Sequence, residues 1–181
     1  MGSVAPALPE LDASATRVTR STNLRKVPEP GSPEAMGHSH CTDHMVTVRW
    51  TSTTGWETPE VRPYENLSIP PTASCLHYAT EVFEGMKVYR GYDGKMRLFR
   101  PDCNGERLSN SGKRVSLPSF RHSELKGLVA KLMQVDGPRM YSTFSQYRCH
   151  TCRNMIVDCI RLAAEEPSRR ASVSSPHSDC H

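Results

Sequence analysis

The sequence predicts an α/β (α+β) domain in the middle of the chain, with disordered ends on both sides. Strand-like and helix-like segments alternate between about residues 38 and 139, which is typical of a sheet covered by helices. Apolar residues make up 36% of the 181 residues and aromatic residues 7%, which is low for a fully packed domain of this length. We therefore divide the chain into an arm (1–37), a folded domain (38–139) and a tail (140–181).

Several short runs in the middle are predicted to be strands. Met45–Trp50 alternates, with Val46, Val48 and Trp50 on one face, and Gly55 offers a turn after it. The other extended runs are Glu60–Tyr64, Leu67–Ile69, Lys87–Arg90 and Lys95–Phe99. The last two flank a loop that ends in Asp-Gly, which predicts a hairpin.

Three segments are predicted to be helical. His77–Gly85 places Tyr78, Val82 and Phe83 near one face. Pro101 suits the first turn of a second helix, which carries Asn104, Arg107 and Leu108. In Ser123–Val135 the spacing of Leu125, Leu128, Val129, Leu132 and Met133 gives one apolar stripe. Ser123 is the predicted cap of this helix, and Gly137-Pro138 is its predicted end.

The two ends lack the pattern of a packed core. The arm is rich in proline, with one short pairing segment expected around Thr16–Leu24. The tail has no glycine, no lysine and only six Leu, Ile, Val and Phe residues in 42. So little aliphatic surface cannot offset the entropy of ordering the chain, so the tail is predicted to be disordered, with one weak helix at Met155–Ala163.

Charge and composition argue against several classes of function. The net charge is +4 and the basic residues are spread along the chain, which argues against nucleic-acid binding. The sequence contains no apolar run long enough to span a membrane. Seven cysteines without a secretory signal favour reduced thiols. We therefore expect a cytoplasmic protein, and the sequence leaves a mitochondrial location open.

The motifs carry more information than the composition. The chain contains no phosphate-binding G-x-x-x-x-G-K loop, no G-x-G-x-x-G and no H-E-x-x-H. It does contain, in order, Asp43–Trp50, Gly55-Trp56, Tyr64–Leu67, Leu76–Lys87 and Arg97–Asn104. Together these segments resemble the amino-terminal part of eukaryotic branched-chain amino acid aminotransferases, and the resemblance covers roughly residues 11–139.

The resemblance implies the small amino-terminal domain of a two-domain, fold-type IV enzyme that holds pyridoxal phosphate between its domains. In this family an Arg on the helix after R-P-x-x-N binds the cofactor phosphate, and Arg107 occupies that position. A guanidinium can meet a phosphate with two parallel hydrogen bonds. The alternative is a solvated helix arginine. Gly105, where a helix-favouring residue is expected, departs from the family pattern.

The resemblance also implies a substrate site and a reaction. The Tyr and Phe of H-Y-x-x-x-x-F-E-G line the pocket for aliphatic side chains, and here they are Tyr78 and Phe83. The alternative is that both are ordinary core aromatics. The implied reaction transfers an amino group between leucine, isoleucine or valine and 2-oxoglutarate. The implied partners are these branched-chain amino acids and 2-oxo acids, together with a second copy of the enzyme in a homodimer.

The catalytic lysine of the family has no counterpart in this sequence. Lys131 is the last lysine of the chain, and the family's lysine lies well inside the second domain. We therefore assign no catalytic residue and expect no covalent attachment of pyridoxal phosphate. The resemblance ends at about Arg139, which suggests intron read-through, a frameshift or genuine divergence. The chain is expected to be truncated and inactive alone.

Two other functions stay open at the level of sequence. One is a non-catalytic domain that pairs with a full-length subunit. The other is a zinc-binding module in the tail, whose possible ligands are Cys149, His150, Cys152, Cys159, His177, Cys180 and His181.

Overall fold

The computed structural model describes residues 7–29, 32–33 and 41–140. Its strands are β1 (Arg17–Val18), β2 (His44–Thr47), β3 (Trp50–Thr51), β4 (Gly55–Trp56), β5 (Glu60–Pro63), β6 (Lys87–Arg90) and β7 (Met96–Phe99). Its α-helices are α1 (Ser74–Tyr78), α2 (Pro101–Arg114) and α3 (His122–Asp136), and short 3-10 turns lie at Ala13–Ala15 and Gly137–Arg139. The mixed α/β class that the sequence predicts is confirmed. Residues 141–181, on which the predicted weak helix and the possible zinc ligands fall, lie outside the described residues.

The strands form three small sheets. In the first, β5 lies between β1, which is parallel to it, and the antiparallel β2, with Val46 opposite Val61. The other two are the antiparallel hairpins β3–β4 and β6–β7. Gly55, at φ +72°, supplies the left-handed backbone that the first hairpin needs. Both predicted turns are confirmed, and β1 lies inside the pairing segment expected at Thr16–Leu24.

Helix α3 separates two apolar clusters and contributes to both. Leu128 packs with Leu11, Ala13, Trp56 and Leu117 in one cluster. On the other side, Val129 and Met133 pack with the buried residues of the β6–β7 region, Met86 and Val88. The predicted stripe of α3 is therefore confirmed as the face that holds the sheets together. Leu11 and Ala13 belong to the predicted arm, so part of that arm lies in the core.

Two glycines allow other elements to approach α3 closely. A Cβ at Gly105 of α2 would lie 2.8 Å from the Cβ of His122, and one at Gly127 would lie 2.7 Å from the Cβ of Ala13. Real Cβ atoms do not come so close, so a larger residue at either position would force the elements apart. Gly105 costs α2 some intrinsic helix stability, and it permits the close packing of α2 on α3.

A buried polar pair ties the end of α3 to the first sheet. Asp136 accepts hydrogen bonds from the His44 backbone N–H at 3.0 Å and from His44 Nδ1 at 2.6 Å. The backbone N–H of Ser21 donates to His44 Nε2 at 2.8 Å, so Nε2 carries no proton and Nδ1 does. Both His44 and Asp136 are buried. The pair thereby joins α3, β2 and the segment that follows β1.

The helix predicted at His77–Gly85 is wrong in its position. Helix α1 covers only Ser74–Tyr78 and ends at Ala79, which has a left-handed backbone. The chain is then extended, with Val82, Glu84, Met86 and Val88 turned inward and the residues between them exposed. The helix does not continue past Tyr78, because a short helix needs a packed apolar face and none of the residues of α1 is buried. The inward positions instead follow a period of two, which is the repeat of extended chain.

Three smaller expectations also differ from the structure. The strand Met45–Trp50 breaks after Thr47, because the Arg49 carbonyl turns to accept the Glu57 N–H at 2.9 Å. Leu67–Ile69 forms no strand. Ser123 does not cap α3, since it lies within the helix and its hydroxyl contacts Glu124 at 3.3 Å.

We predict that Asp136→Ala lowers the free energy of unfolding by about 2–4 kcal/mol, because two buried donors of His44 lose their acceptor. Urea unfolding followed by circular dichroism measures this change. The control is Asp102→Asn, which removes an exposed ion pair to Lys126 and should cost less than about 1 kcal/mol. Equal effects of the two substitutions would contradict the structural role given to the buried pair.

Candidate functional site

A buried carboxylate joins the extended segment after α1 to helix α2. The side chain of Glu84 is 6% exposed. Both of its oxygens accept from Arg107, with Nε to Oε2 at 2.5 Å and Nη2 bonded to Oε1. Oε1 also accepts from Asn104 Nδ2 at 3.0 Å and from the backbone N–H of Gly85 at 2.9 Å. Four N–H donors therefore hold one buried carboxylate in place, and the two from Arg107 also bring a compensating positive charge.

Local structure explains how these residues meet. Asn104 and Arg107 are three residues apart on α2, so their side chains lie on the same face of the helix. Glu84 faces inward because it shares the inward alternation of Val82 and Met86. Asn104 also donates to the carbonyl of Gly85 at 2.8 Å. The F-E-G segment is thus fixed to α2 by both side-chain and backbone contacts.

Charge reinforces this geometry. The hydrogen bonds from Arg107 hold the pKa of Glu84 below its ordinary value, and they outweigh the effect of burial, which raises that pKa. In return, the bonded carboxylate of Glu84 raises the pKa of Arg107. Both groups are therefore ionised at neutral pH, and the pair is a charge-assisted, two-point contact.

Arg107 itself is open to solvent. Its side chain is 68% exposed, and it borders an open depression of about 500 Å³ along one side of α2. The lining residues are Cys103, Glu106, Arg107, Asn110, Ser111 and Arg114. Glu84 occupies Nε and one donor of Nη2, so three of the five guanidinium N–H donors are left for another ligand. Such an edge can bind an oxyanion.

The two aromatic residues singled out in the sequence are not part of the core. Tyr78 is 80% exposed and Phe83 is 79% exposed. Tyr78 ends α1 with its ring at an angle to that of His77, and Phe83 immediately precedes Glu84. The interpretation of both as ordinary core aromatics is therefore wrong for the part of the chain that the structure describes.

Sequence reasoning missed Glu84 and the role of Asn104. The signal for Glu84 was present, because it is the one charged residue among alternating apolar positions at Val82, Met86 and Val88. An acid in such a run is expected to be buried and paired. The apolar residues of this segment also fit a helical repeat of 3.6 residues, which obscures the alternation.

The described residues contain no group of three or more His, Cys, Asp or Glu side chains placed to hold a metal ion. Cys75 and Cys103 are free thiols. None of the helices in the described ranges is long and apolar enough to cross a membrane.

Comparison with known proteins gives close relatives for most of the chain. The cytosolic branched-chain-amino-acid aminotransferase of Saccharomyces cerevisiae is 48% identical over 129 residues, which is 71% of this chain and 34% of the relative. The cytosolic protein of that name from Rattus norvegicus is 50% identical over 119 residues, 66% of this chain and 28% of the relative. The mitochondrial protein of Saccharomyces cerevisiae is 44% identical over 126 residues, 70% and 32% of the two chains.

No family model matches the chain. The chain spans about a third of the length of these curated relatives. The individual matches nevertheless reach 44–50% identity over 119–129 residues. About two thirds of this chain is therefore homologous to branched-chain-amino-acid aminotransferases, as a segment about a third of their length.

Proposed function

We propose that this chain supplies the amino-terminal domain, residues 38–139, of a two-domain, fold-type IV branched-chain amino acid aminotransferase. The proposed reaction transfers an amino group from leucine, isoleucine or valine to 2-oxoglutarate, giving a branched 2-oxo acid and glutamate. The observation that carries the proposal is the junction of the F-E-G segment with the helix after R-P-x-x-N, through Glu84, Asn104 and Arg107. Separate motifs of the family thereby form one site.

The proposed ligand of Arg107 is the phosphate of pyridoxal phosphate. The guanidinium fits this role because it is exposed, fixed along its Nε edge by Glu84, and left with three N–H donors on its outer side. Arg114 lines the same depression and adds a second positive charge. Glu106 opposes this charge in part, so the fit relies on directed hydrogen bonds more than on net charge.

When bound, pyridoxal phosphate supplies the carbonyl group that receives the amino group of the substrate. The role proposed for Arg107 is to hold the phosphate end in place, away from the reacting atoms. Orientation of this kind lowers the entropy cost of reaching a reactive geometry. No residue of this chain is proposed as the catalytic base, and the lysine would come from a part of the enzyme that aligns with none of residues 1–181.

Tyr78 and Phe83 are the proposed wall for the aliphatic side chain of the substrate. Branched-chain amino acids offer only apolar surface for recognition, and aromatic rings provide a matching surface. Two large aromatics about 80% exposed leave apolar area in water that a ligand or another part of the enzyme would cover. Phe83 adjoins Glu84, so the same short segment carries both the wall and the anchor of Arg107.

The remaining parts of the proposal follow the family. The intact enzyme would act as a homodimer, and the tail would lie outside the catalytic domain. Curated relatives include both cytosolic and mitochondrial proteins. We propose a cytoplasmic location, by analogy with the cytosolic relatives at 48% and 50% identity.

A chimera tests the proposed function. Residues 11–139 of this chain replace the homologous segment of the Saccharomyces cerevisiae cytosolic relative. We predict that the chimera converts leucine and 2-oxoglutarate in the presence of pyridoxal phosphate, whereas the purified 181-residue chain does not. Glutamate formation measures both. The matched variant Phe83→Ala in the chimera should raise KM for leucine about tenfold, since the proposed apolar contact with the substrate side chain is lost.

A folded chimera without activity would contradict the proposed function. Transamination by the 181-residue chain alone would contradict the assignment of the lysine to another part of the enzyme.

The ion pair predicts a pH dependence of stability. Because the folded-state pKa of Glu84 is depressed, its stabilisation is present above the pKa of the unfolded chain and is lost as pH falls through the lower folded value. Glu84→Gln should therefore lower the free energy of unfolding by about 1–3 kcal/mol at pH 7. The difference from the unsubstituted chain should shrink below about pH 4.

Urea unfolding at several pH values measures this difference. The control is Glu106→Gln, an exposed acid on the same helix, which should show a smaller and flatter difference. A Glu84 effect that does not change between pH 7 and pH 3 would contradict the importance of the ion pair.

A further inference from the structure

We infer that Glu84 is a positioning residue, which with Asn104 orients the Arg107 guanidinium so that its outer edge binds a phosphate group. This inference rests on the proposed function and deepens it, because it assigns a task to a residue that does not itself touch the ligand. The ligand class is a phosphate monoester or free phosphate, recognised by the guanidinium edge that Glu84 leaves open.

The first support is the geometry of the carboxylate. Glu84 contacts Arg107 at Nε and Nη2, on one edge of the planar guanidinium. A two-point contact fixes the plane and its rotation, whereas a single bond would fix neither. With that edge held, the Nη1 donors and the second Nη2 donor face away from Glu84.

The second support is that Glu84 is itself held in place. Asn104 donates to Oε1 at 3.0 Å and to the Gly85 carbonyl at 2.8 Å. The side chain of Glu84 is 6% exposed, whereas that of Arg107 is 68% exposed. The buried carboxylate of Glu84, held by Asn104, therefore fixes the exposed guanidinium of Arg107. A long exposed arginine without such an anchor samples many rotamers, and each binding event must then restrict them.

The negative charge of Glu84, unlike its geometry, disfavours the binding of an anion by Arg107. Glu84 partly cancels the positive charge of Arg107, and on charge alone its removal would tighten the binding of an anion. Glu84 lies well within a Debye length of any ligand of Arg107, so salt does not remove this repulsion, but the carboxylate is already hydrogen-bonded by Asn104, the Gly85 N–H and Arg107 itself. We therefore expect orientation to outweigh charge. The two effects differ in sign, and this makes the inference testable.

The experiment is a titration of the full 181-residue chain with inorganic phosphate at pH 7.5 and constant ionic strength. The signal is the nitrogen-15 resonance of the Arg107 Nε–H group, assigned by its loss in Arg107→Lys. In the unsubstituted chain, phosphate should shift this resonance saturably. Glu84→Ala should weaken phosphate binding at least about threefold, in spite of losing a negative charge.

Two further variants separate orientation from charge. Asn104→Ala leaves every charge in place and should weaken phosphate binding in the same direction as Glu84→Ala, by a smaller factor. This variant also keeps the test valid if Glu84→Ala does not fold, which backbone amide spectra reveal. Asp102→Asn removes a negative charge from the same helix without touching Arg107, and its binding should be unchanged or slightly tighter.

Weaker phosphate binding in Glu84→Ala and Asn104→Ala, with no weakening in Asp102→Asn, supports the inference. Unchanged or tighter binding in folded Glu84→Ala or Asn104→Ala overturns it and leaves the phosphate role of Arg107 intact. If phosphate does not shift the Arg107 resonance of the unsubstituted chain, the phosphate role in the proposed function fails, and the positioning role fails with it.

Discussion

The packing of α3 is the constraint on which the rest of the described structure depends. Its apolar stripe serves two clusters at once, with Leu128 on one side and Val129 and Met133 on the other. The first cluster reaches the residues before β1, and the second reaches the β6–β7 hairpin. Each of the three sheets is too small to be stable alone, so α3 provides the common surface on which they become one domain.

This arrangement has a direct consequence for the site. Helix α2 packs closely on α3 because Gly105 removes the side chain that would meet His122. The face of α2 that carries Asn104 and Arg107 is thereby set in front of the segment that carries Glu84. A residue with poor helix propensity in α2 is thus a condition for placing Arg107 against Glu84. The stability that Gly105 costs α2 is offset by packing.

Much of the fold could be predicted from the sequence because its signals are local. The stripe of α3, the turn at Gly55, the β6–β7 hairpin and the start of α2 at Pro101 follow from periodicity and turn residues. The segment from His77 to Gly85 could not be predicted in the same way. Its apolar residues fit both a helical and an extended repeat, and tertiary contacts decided between the two. The burial of Leu11 depends on contacts with residues far along the chain, which local pattern does not reveal.

The site was predictable only in part, for a related reason. Arg107, Tyr78 and Phe83 entered through a resemblance of motifs. Glu84 and the role of Asn104 became apparent only when α2 and the extended segment were seen together. A carboxylate that orients an arginine has no local sequence signature beyond its place among apolar neighbours. The contact between Glu84 and Arg107 therefore has two effects, since it stabilises the buried carboxylate and orients the exposed guanidinium.

The measurement that most directly tests the phosphate role of Arg107 compares two cofactor forms on the chimera that carries residues 11–139. Dissociation constants for pyridoxal phosphate and for pyridoxal, which lacks the phosphate, are measured by fluorescence with Arg107 and with Arg107→Ala. We expect Arg107→Ala to weaken pyridoxal phosphate at least about tenfold and to leave pyridoxal nearly unchanged. Equal losses for both compounds, or no loss for either, would contradict the assignment of Arg107 as the phosphate ligand.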